Sequence, residues 1–268
     1  MPNLLFLGSG DSQGVPRWWC GCEVCEEARE YGENARARPS IVIENEYERV
    51  LVDAGPETRT QCNRFGLNGF DAVLITHAHA DHIQGLSDVA DWARFTTEGC
   101  PIYMPREIIP DIGKRFHYLL HEPYTSLIPI HALEATQRSF AGYRVRQYKV
   151  PHGHNGYSFA FRFEQNGAAW GYMPDCLMLD HLEPWYGLDL LVLGVAYLHE
   201  GQPLNQRSIY DQREALELIA KLKPRRTLFT HMSHGIDRRQ PAPFGVAYAF
   251  DGLKVELPVG VRQLSAAD

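Results

Sequence analysis

The 268-residue sequence has no long apolar run. Its most hydrophobic stretch, residues 190–198, is far too short to cross a bilayer, which takes about 20 residues. The opening run Asn3-Leu4-Leu5-Phe6-Leu7 has no basic lead-in, so it reads as a first strand and not as a signal peptide. Positive charge is also scarce: 26 Lys and Arg against 33 Asp and Glu leave a net charge of −7. A general nucleic-acid binder needs a basic surface to displace counterions from phosphates, so neither a nucleic-acid nor a membrane partner is expected. A small phosphorylated substrate is still admissible, because bound cations invert the local charge. Low-complexity segments and long linkers are lacking, and six cysteines are too few for a disulfide scaffold in a chain of this size. These absences lead to the expectation of one domain over residues 1–268, cytoplasmic, with its thiols reduced.

Short strand-like segments recur along the chain: residues 3–7, 40–44, 49–52 and 72–75, then 143–150 and 158–163, which alternate apolar and polar as half-buried strands do. Residues 168–172, 190–193 and 227–229 read as buried strands. Asp251-Gly252 between residues 246–250 and 254–257 is a hairpin signal. Helices fall between the strands. Ser208-Ile209-Tyr210-Asp211 resembles a capping box opening a helix that Pro224 ends near residue 222. A shorter helix should follow His82, another should cover residues 108–120, and the Pro-rich residues 240–244 should form a loop. Strands with interspersed helices in two comparable halves point to a layered α/β (α+β) fold.

Chemistry concentrates in Thr76-His77-Ala78-His79-Ala80-Asp81-His82, directly after a buried strand. Three imidazoles and a carboxylate within six positions are costly to keep in a core without a partner. They are the ligands that zinc, manganese and iron accept. His77 and His79, alternating on an extended turn, can grip one ion. Asp81 and His82, at a helix start, can grip a second.

Thr-His-x-His-x-Asp-His after a strand resembles the signature of the metallo-β-lactamase superfamily. The resemblance implies a four-layer αββα sandwich with a two-metal site at one edge of its sheets, and further ligands downstream. Asp53, in Val52-Asp53-Ala54-Gly55, matches the strand-end residue that orients ligands. Asp175 after Met173-Pro174 matches the carboxylate that bridges both ions, and His231 after Phe229-Thr230 the last imidazole. In Pro151-His152-Gly153-His154, two histidines compete for one ligand position. The Pro three residues before His154 and the aromatic strand after it match the family pattern and favour His154. One ion would then be held by His77, His79 and His154, the other by Asp81, His82 and His231.

Cys20, Cys22 and Cys25 put three thiols within six residues. Three thiolates and one imidazole make a closed tetrahedral zinc site of the structural kind, and His234, three residues beyond His231, is the candidate fourth ligand. Together with Gly8-Ser9-Gly10, Gln13-Gly14-Val15-Pro16, Gln84-Gly85-Leu86 and Phe250-Asp251-Gly252, this cluster, in a loop at about residues 17–26, resembles the phosphoribosyl cyclic phosphate phosphodiesterases of the carbon–phosphorus lyase pathway. That family implies hydrolysis of a small cyclic phosphodiester by a metal-activated water, two divalent catalytic ions (zinc or manganese), one structural zinc, and a homodimer. The pattern departs at one place. The family's proton-transferring His falls near Ile209 here, and His199 is the nearest substitute; Asp81 and His199 are thus the candidate catalytic residues. PQQ biosynthesis protein B shares the Cys-rich opening and the Phe-Asp-Gly ending, so a cofactor-biosynthesis step, or hydrolysis of a thioester or lactone, is the alternative. A non-enzymatic metal-binding module is a third, and the extent of the ligand set disfavours it.

Overall fold

The computed structural model describes residues 1–30, 32–96 and 98–260; the last eight residues of the expected domain lie outside them. In chain order the elements are β1 (Asn3–Gly8), α1 (Glu23–Arg29), β2 (Ser40–Glu44), β3 (Arg49–Val52), α2 (Thr58–Phe65), β4 (Ala72–Leu74), α3 (Ala80–Ile83) and α4 (Leu86–Thr96). Next come β5 (Ile102–Met104), α5 (Ile109–Arg115), α6 (Tyr124–Leu127), β6 (Ile130–Ala132), β7 (Ser139–Phe140), β8 (Tyr143–Pro151), β9 (Tyr157–Gln165) and β10 (Ala168–Met173). The chain closes with β11 (Leu190–Gly194), α7 (Gln212–Leu222), β12 (Thr227–Thr230), β13 (Val246–Tyr248) and β14 (Lys254–Glu256).

These strands form two seven-stranded sheets, ordered β14-β1-β2-β3-β4-β5-β6 and β13-β12-β11-β10-β9-β8-β7. Each sheet is antiparallel on one side and parallel on the other: β3 to β6 in the first, β10 to β13 in the second. One apolar layer joins the sheets, with Leu4, Phe6 and Val52 from the first and Phe161, Phe163 and Trp170 from the second in a single buried cluster. The Trp170 ring stacks on Phe163 at 3.9 Å.

Helices cover the outer faces. Leu86, Val89, Ala90 and Ala93 of α4 recur at helical spacing and are buried with the first sheet. Ala215, Leu218 and Leu222 of α7 pack with Leu191, Leu193 and Phe229 of the second. The result is the αββα sandwich of the metallo-β-lactamase fold. Among the described residues no helix is long and apolar enough to cross a membrane.

The strands read from the sequence recur within one or two residues of their expected bounds, while the two- and three-residue strands β5, β6 and β7 carry too little pattern to be read. Three expectations are corrected. β13 and β14 are not a hairpin: β13 runs parallel to β12 in the second sheet, and β14 runs antiparallel to β1 in the first. The Asp251-Gly252 turn carries the chain from one sheet to the other, and the buried Asp251 carboxylate accepts hydrogen bonds from Ser9 and the Ala37 amide there. The capping box of α7 lies three residues later than expected, at Asp211 and Glu214. Residues 108–120 form α5 flanked by 3-10 turns, not one continuous helix.

Candidate metal centre

Four segments of the site leave the C-terminal ends of strands in the parallel halves of the two sheets. Asp53 follows β3, Thr76 and His77 follow β4, Asp175 follows β10 and His231 follows β12. Clefts of open α/β sheets form at such strand ends. His152 directly follows β8, and Asp81 and His82 lie in the single turn of α3. Close approach of the Asp175 loop depends on Gly194, because a Cβ there would sit 1.7 Å from the Pro174 carbonyl oxygen. Asp53 and His231 hold left-handed backbone conformations, with φ of 61° and 56°. That is unusual for residues other than glycine and costs about 1 kcal/mol or more each.

The ligating atoms converge in two groups, linked by a third made of His77, His82 and Asp175. In one, His77 Nε2 and His79 Nδ1 are 2.9 Å apart, and His152 completes a set within 4.8 Å. In the other, His82 Nε2 is 3.2 Å and His231 Nε2 3.5 Å from Asp81 Oδ2. Asp175 lies between them, with Oδ2 2.8 Å from His82 and 3.9 Å from His77, and Oδ1 3.3 Å from His231 and 3.7 Å from His152. Ligands about 2.1 Å from one ion stand roughly 3.0–3.4 Å from each other. The separations scatter around that range.

Outer hydrogen bonds fix which nitrogen faces the cluster. His82 donates Nδ1–H to Asp53 Oδ2 at 2.7 Å, and His152 donates Nδ1–H to the Ser208 carbonyl at 2.7 Å. The Thr76 hydroxyl donates to Asp53 at 2.8 Å, leaving its oxygen to accept from His77 Nδ1 at 3.0 Å. Each bond leaves an Nε2 lone pair aimed inward, the arrangement expected behind metal-ligating histidines. Thr76, quoted in the motif without a role, and Ser208, read only as part of a helix cap, are participants whose part here the sequence did not show.

The donor set fits divalent ions on two further grounds. His82 Nε2, Asp175 Oδ2 and both ring nitrogens of His231 are buried and make no well-directed hydrogen bond, although His82 Nε2 and Asp175 Oδ2 lie only 2.8 Å apart, an arrangement that is costly for polar atoms that nothing else coordinates. The charge pattern agrees. Burial pushes the pKa of His77, His79 and His152 down, toward neutral ligands. Burial also opposes charge on His82, but Asp81, Asp53 and Asp175 outweigh it and hold the ring well above its ordinary pKa. Asp175 resists burial in the same way: His231, His82 and His152 keep its carboxyl far below the usual range. In the protein alone, positive charge for these carboxylates has to come from imidazolium. Divalent cations would supply it and leave the imidazoles neutral, as ligation requires.

Two expected residues are not brought to the cluster. His154 is exposed, and its amide donates to the Arg207 carbonyl. His152, which is 2% exposed, takes the inward place. Gly153 between them has φ 57°, and a Cβ there would lie 1.8 Å from the Arg207 oxygen. This turn, tight enough for glycine alone, sends one imidazole in and the next out. His199 is the second correction: its side chain is 61% exposed and lies 3.2 Å from Asp211, beside Arg213 at the start of α7. It touches no residue of the cluster, and Ile209, where the family's His would fall, is buried.

A second cluster joins Cys20, Cys22, Cys25 and His234. Their sulfurs lie 3.3, 3.4 and 3.6 Å from His234 Nδ1. With metal–sulfur and metal–nitrogen bonds of about 2.3 and 2.1 Å, a tetrahedron has a sulfur–nitrogen edge of about 3.5 Å. The Arg17 guanidinium donates to His234 Nε2 at 3.0 Å, and also bonds Asp11 at 2.7 Å and the Tyr197 hydroxyl at 3.3 Å. A metal on Nδ1 would move the ring proton to Nε2, so Arg17 would then keep only its Asp11 and Tyr197 contacts.

Comparison with known proteins agrees with this geometry. A diphosphatase of the PhnP family superposes with a TM-score of 0.82 and 29% identity, over 97% of this chain and 98% of that one. Zinc-bound PqqB from Methylobacterium extorquens superposes at 0.76 with 19% identity, over 95% and 100% of the two chains, a likeness of fold. Coenzyme PQQ synthesis protein B of Methylococcus capsulatus is 25% identical over 95% of this chain and 99% of its own. An octanoyltransferase of Porphyromonas gingivalis is 34% identical over 125 residues, 46% of this chain but 24% of that protein. The stretch matched in PQQ synthesis protein B of Methylorubrum extorquens, at 33% identity, is likewise only 37% of each. The family model described as the beta-lactamase superfamily domain matches residues 48–232, well over half of the chain and including every residue of the histidine–aspartate cluster. The chain belongs to the beta-lactamase superfamily.

Proposed function

We propose that the protein is a metal-dependent hydrolase that cleaves a small phosphodiester, with two divalent ions, zinc or manganese, in the histidine–aspartate cluster and one zinc among the cysteines. The observation that carries this reading is the convergence of five histidines and two aspartates on two adjacent positions that share Asp175. Likeness to the PhnP-family diphosphatase along nearly the whole chain supports phosphorus as the centre attacked.

His77, His79 and His152 would hold one ion, Asp81, His82 and His231 the other, and Asp175 both. Bound there, divalent ions supply Lewis acidity that polarises a phosphoryl group and acidifies water. The chain's own part is orientation. Asp53 fixes His82 directly and His77 through Thr76, and the Ser208 carbonyl fixes His152. Burial of these groups keeps competing water from the ligating atoms, so charges count for more there than in solvent. Asp81 touches both His82 and His231, so its loss should empty or distort the second position.

The test is metal content by elemental analysis together with hydrolysis of bis(p-nitrophenyl) phosphate, on the wild type and Asp81→Ala. About three metals per chain, with hydrolysis reduced at least ~100-fold in the variant, is the expected result. One zinc per chain and no hydrolysis would overturn the two-ion reading. Hydrolysis absent with three metals bound would favour the second reading, a cofactor-biosynthesis step of the kind suggested by likeness to PQQ synthesis protein B over 95% of the chain.

A further inference from the structure

One pair of histidines lies outside both clusters. His117 opens a 3-10 turn, His117–Leu120, between α5 and α6, and His121 directly follows it. Both are exposed, and their Nε2 atoms lie 3.2 Å apart, with ring centroids at 4.7 Å. The backbone holds both rings in place. Leu119, between them, is buried in the apolar layer. The Leu119 amide donates to the Phe116 carbonyl at 2.9 Å and the His121 amide to the Tyr118 carbonyl at 3.2 Å. The His121 carbonyl in turn accepts from the Tyr124 amide at 3.0 Å. An anchored turn thus presents two imidazoles without the ordering cost that a flexible pair would bear.

A hydrogen bond between the two rings accounts poorly for this arrangement. The pair is exposed, so water competes for the same contact and little is gained on balance. A divalent ion suits the geometry better. Two nitrogens bound at about 2.1 Å in a tetrahedral arrangement stand about 3.4 Å apart. Histidines four positions apart on one face of a helix are a known way to bring two imidazoles to one ion. Here a single anchored turn has the same effect.

We propose that His117 and His121 form a further metal site, for a divalent transition-metal ion such as zinc, which imidazole nitrogen accepts. Among the described residues no third His, Cys, Asp or Glu ligand atom joins the pair, so water fills the remaining positions. The site is therefore weak and exchangeable, unlike the closed set of three cysteines and His234. It also has a definite place. α5 ends two residues before His117, and its Asp111 and Arg115 line the open cleft over His77 and His79. An ion on the pair would cross-link the segment that joins the wall of that cleft to α6. The inference is independent of which bond the protein hydrolyses.

The experiment is calorimetric titration with zinc chloride of untagged protein that has been equilibrated with zinc and freed of excess metal by gel filtration. It compares the wild type with His117→Ala, His121→Ala and His181→Ala, the last at another exposed histidine. The wild type should take up one further zinc ion per chain. His117→Ala and His121→Ala should each weaken that uptake at least ~10-fold, because losing one arm of a two-armed ligand forfeits its effective concentration. His181→Ala should match the wild type. No further uptake by the wild type would overturn the proposal, and so would uptake that His117→Ala or His121→Ala leaves undiminished. Equal weakening in His181→Ala would mean that scattered surface histidines collect the ion, which also counts against it. Elemental analysis of the gel-filtered variants should show the tightly held metal unchanged. A loss there would mean that the pair acts by supporting the other clusters, and a separate site would be ruled out.

Discussion

At the scale of single residues, the choice between His152 and His154 turns on one glycine. Gly153 adopts φ 57° against the Arg207 carbonyl, so the two imidazoles leave the turn on opposite sides. His152 is buried with Nδ1–H on the Ser208 carbonyl, and its Nε2 is 3.7 Å from Asp175. His154 stands in solvent. His152→Ala should therefore weaken metal retention at the first position by at least ~10-fold, comparable to the loss of groups that orient ligands. His154→Ala should leave retention unchanged. Competition with a chelator, followed by elemental analysis, measures both. Equal losses in the two variants would mean that the turn rearranges when metal binds.

At the scale of elements, α7 shows how a helix start is specified. Asp211 accepts from the Glu214 amide at 3.0 Å, while Glu214 accepts from the Asp211 amide at 3.0 Å. Burial would raise the Asp211 carboxyl, but the Glu214 and Glu200 amides, with His199, bring its pKa down to about 2. Since the folded value lies below the unfolded one, near 3.9, the cap stabilises fully above about pH 4. It is lost as pH falls through about 2. Asp211→Ala should cost about 1–2 kcal/mol near neutrality, and the gap to wild type in denaturant melts should close with acid. A gap that stays constant down to pH 2 would remove Asp211 from that role. The same region shows why sequence reading put the helix start too early. Ser208 and Asp211 form one plausible box and Asp211 and Glu214 another. The Ser208 carbonyl is engaged by His152, 56 residues away, and no local pattern records that. The Asp251-Gly252 turn behaves alike: its residues encode a reversal, but not that the next strand joins the other sheet. The metal cluster was far more legible, because Asp53, His77, Asp175 and His231 each stand at the end of a buried strand. His152 was not, because its direction is set by a contact distant in sequence.

At the scale of the whole molecule, the cysteine cluster ties the N-terminal loop to the strand end that carries His231. His231 and His234 are separated by Met232 and Ser233, and three backbone hydrogen bonds of that pair cross between elements. The Met232 amide donates to the Ser9 carbonyl at 2.9 Å, the Met232 carbonyl accepts from the Asp11 amide at 3.2 Å, and the Ser233 amide donates to Ala196 at 3.0 Å. Ser9 and Asp11 follow β1 of the first sheet, while Ala196 and Met232 follow β11 and β12 of the second. A metal held by Cys20, Cys22, Cys25 and His234 would lock this junction, because ligands far apart in the chain lose little further entropy once they share one ion. Cys22→Ser should then remove one metal per chain and lower the melting temperature by roughly 5–10 °C, at about 2–4 °C per kcal/mol for a chain of this size. It should also loosen metal at the position of His231 more than at that of His79, which belongs to the opposite side of the cluster. Differential scanning calorimetry with metal analysis of the same samples reads all three effects. A variant that keeps its full metal complement and its melting temperature would show that the thiols hold nothing, and that the junction stands on its backbone hydrogen bonds alone.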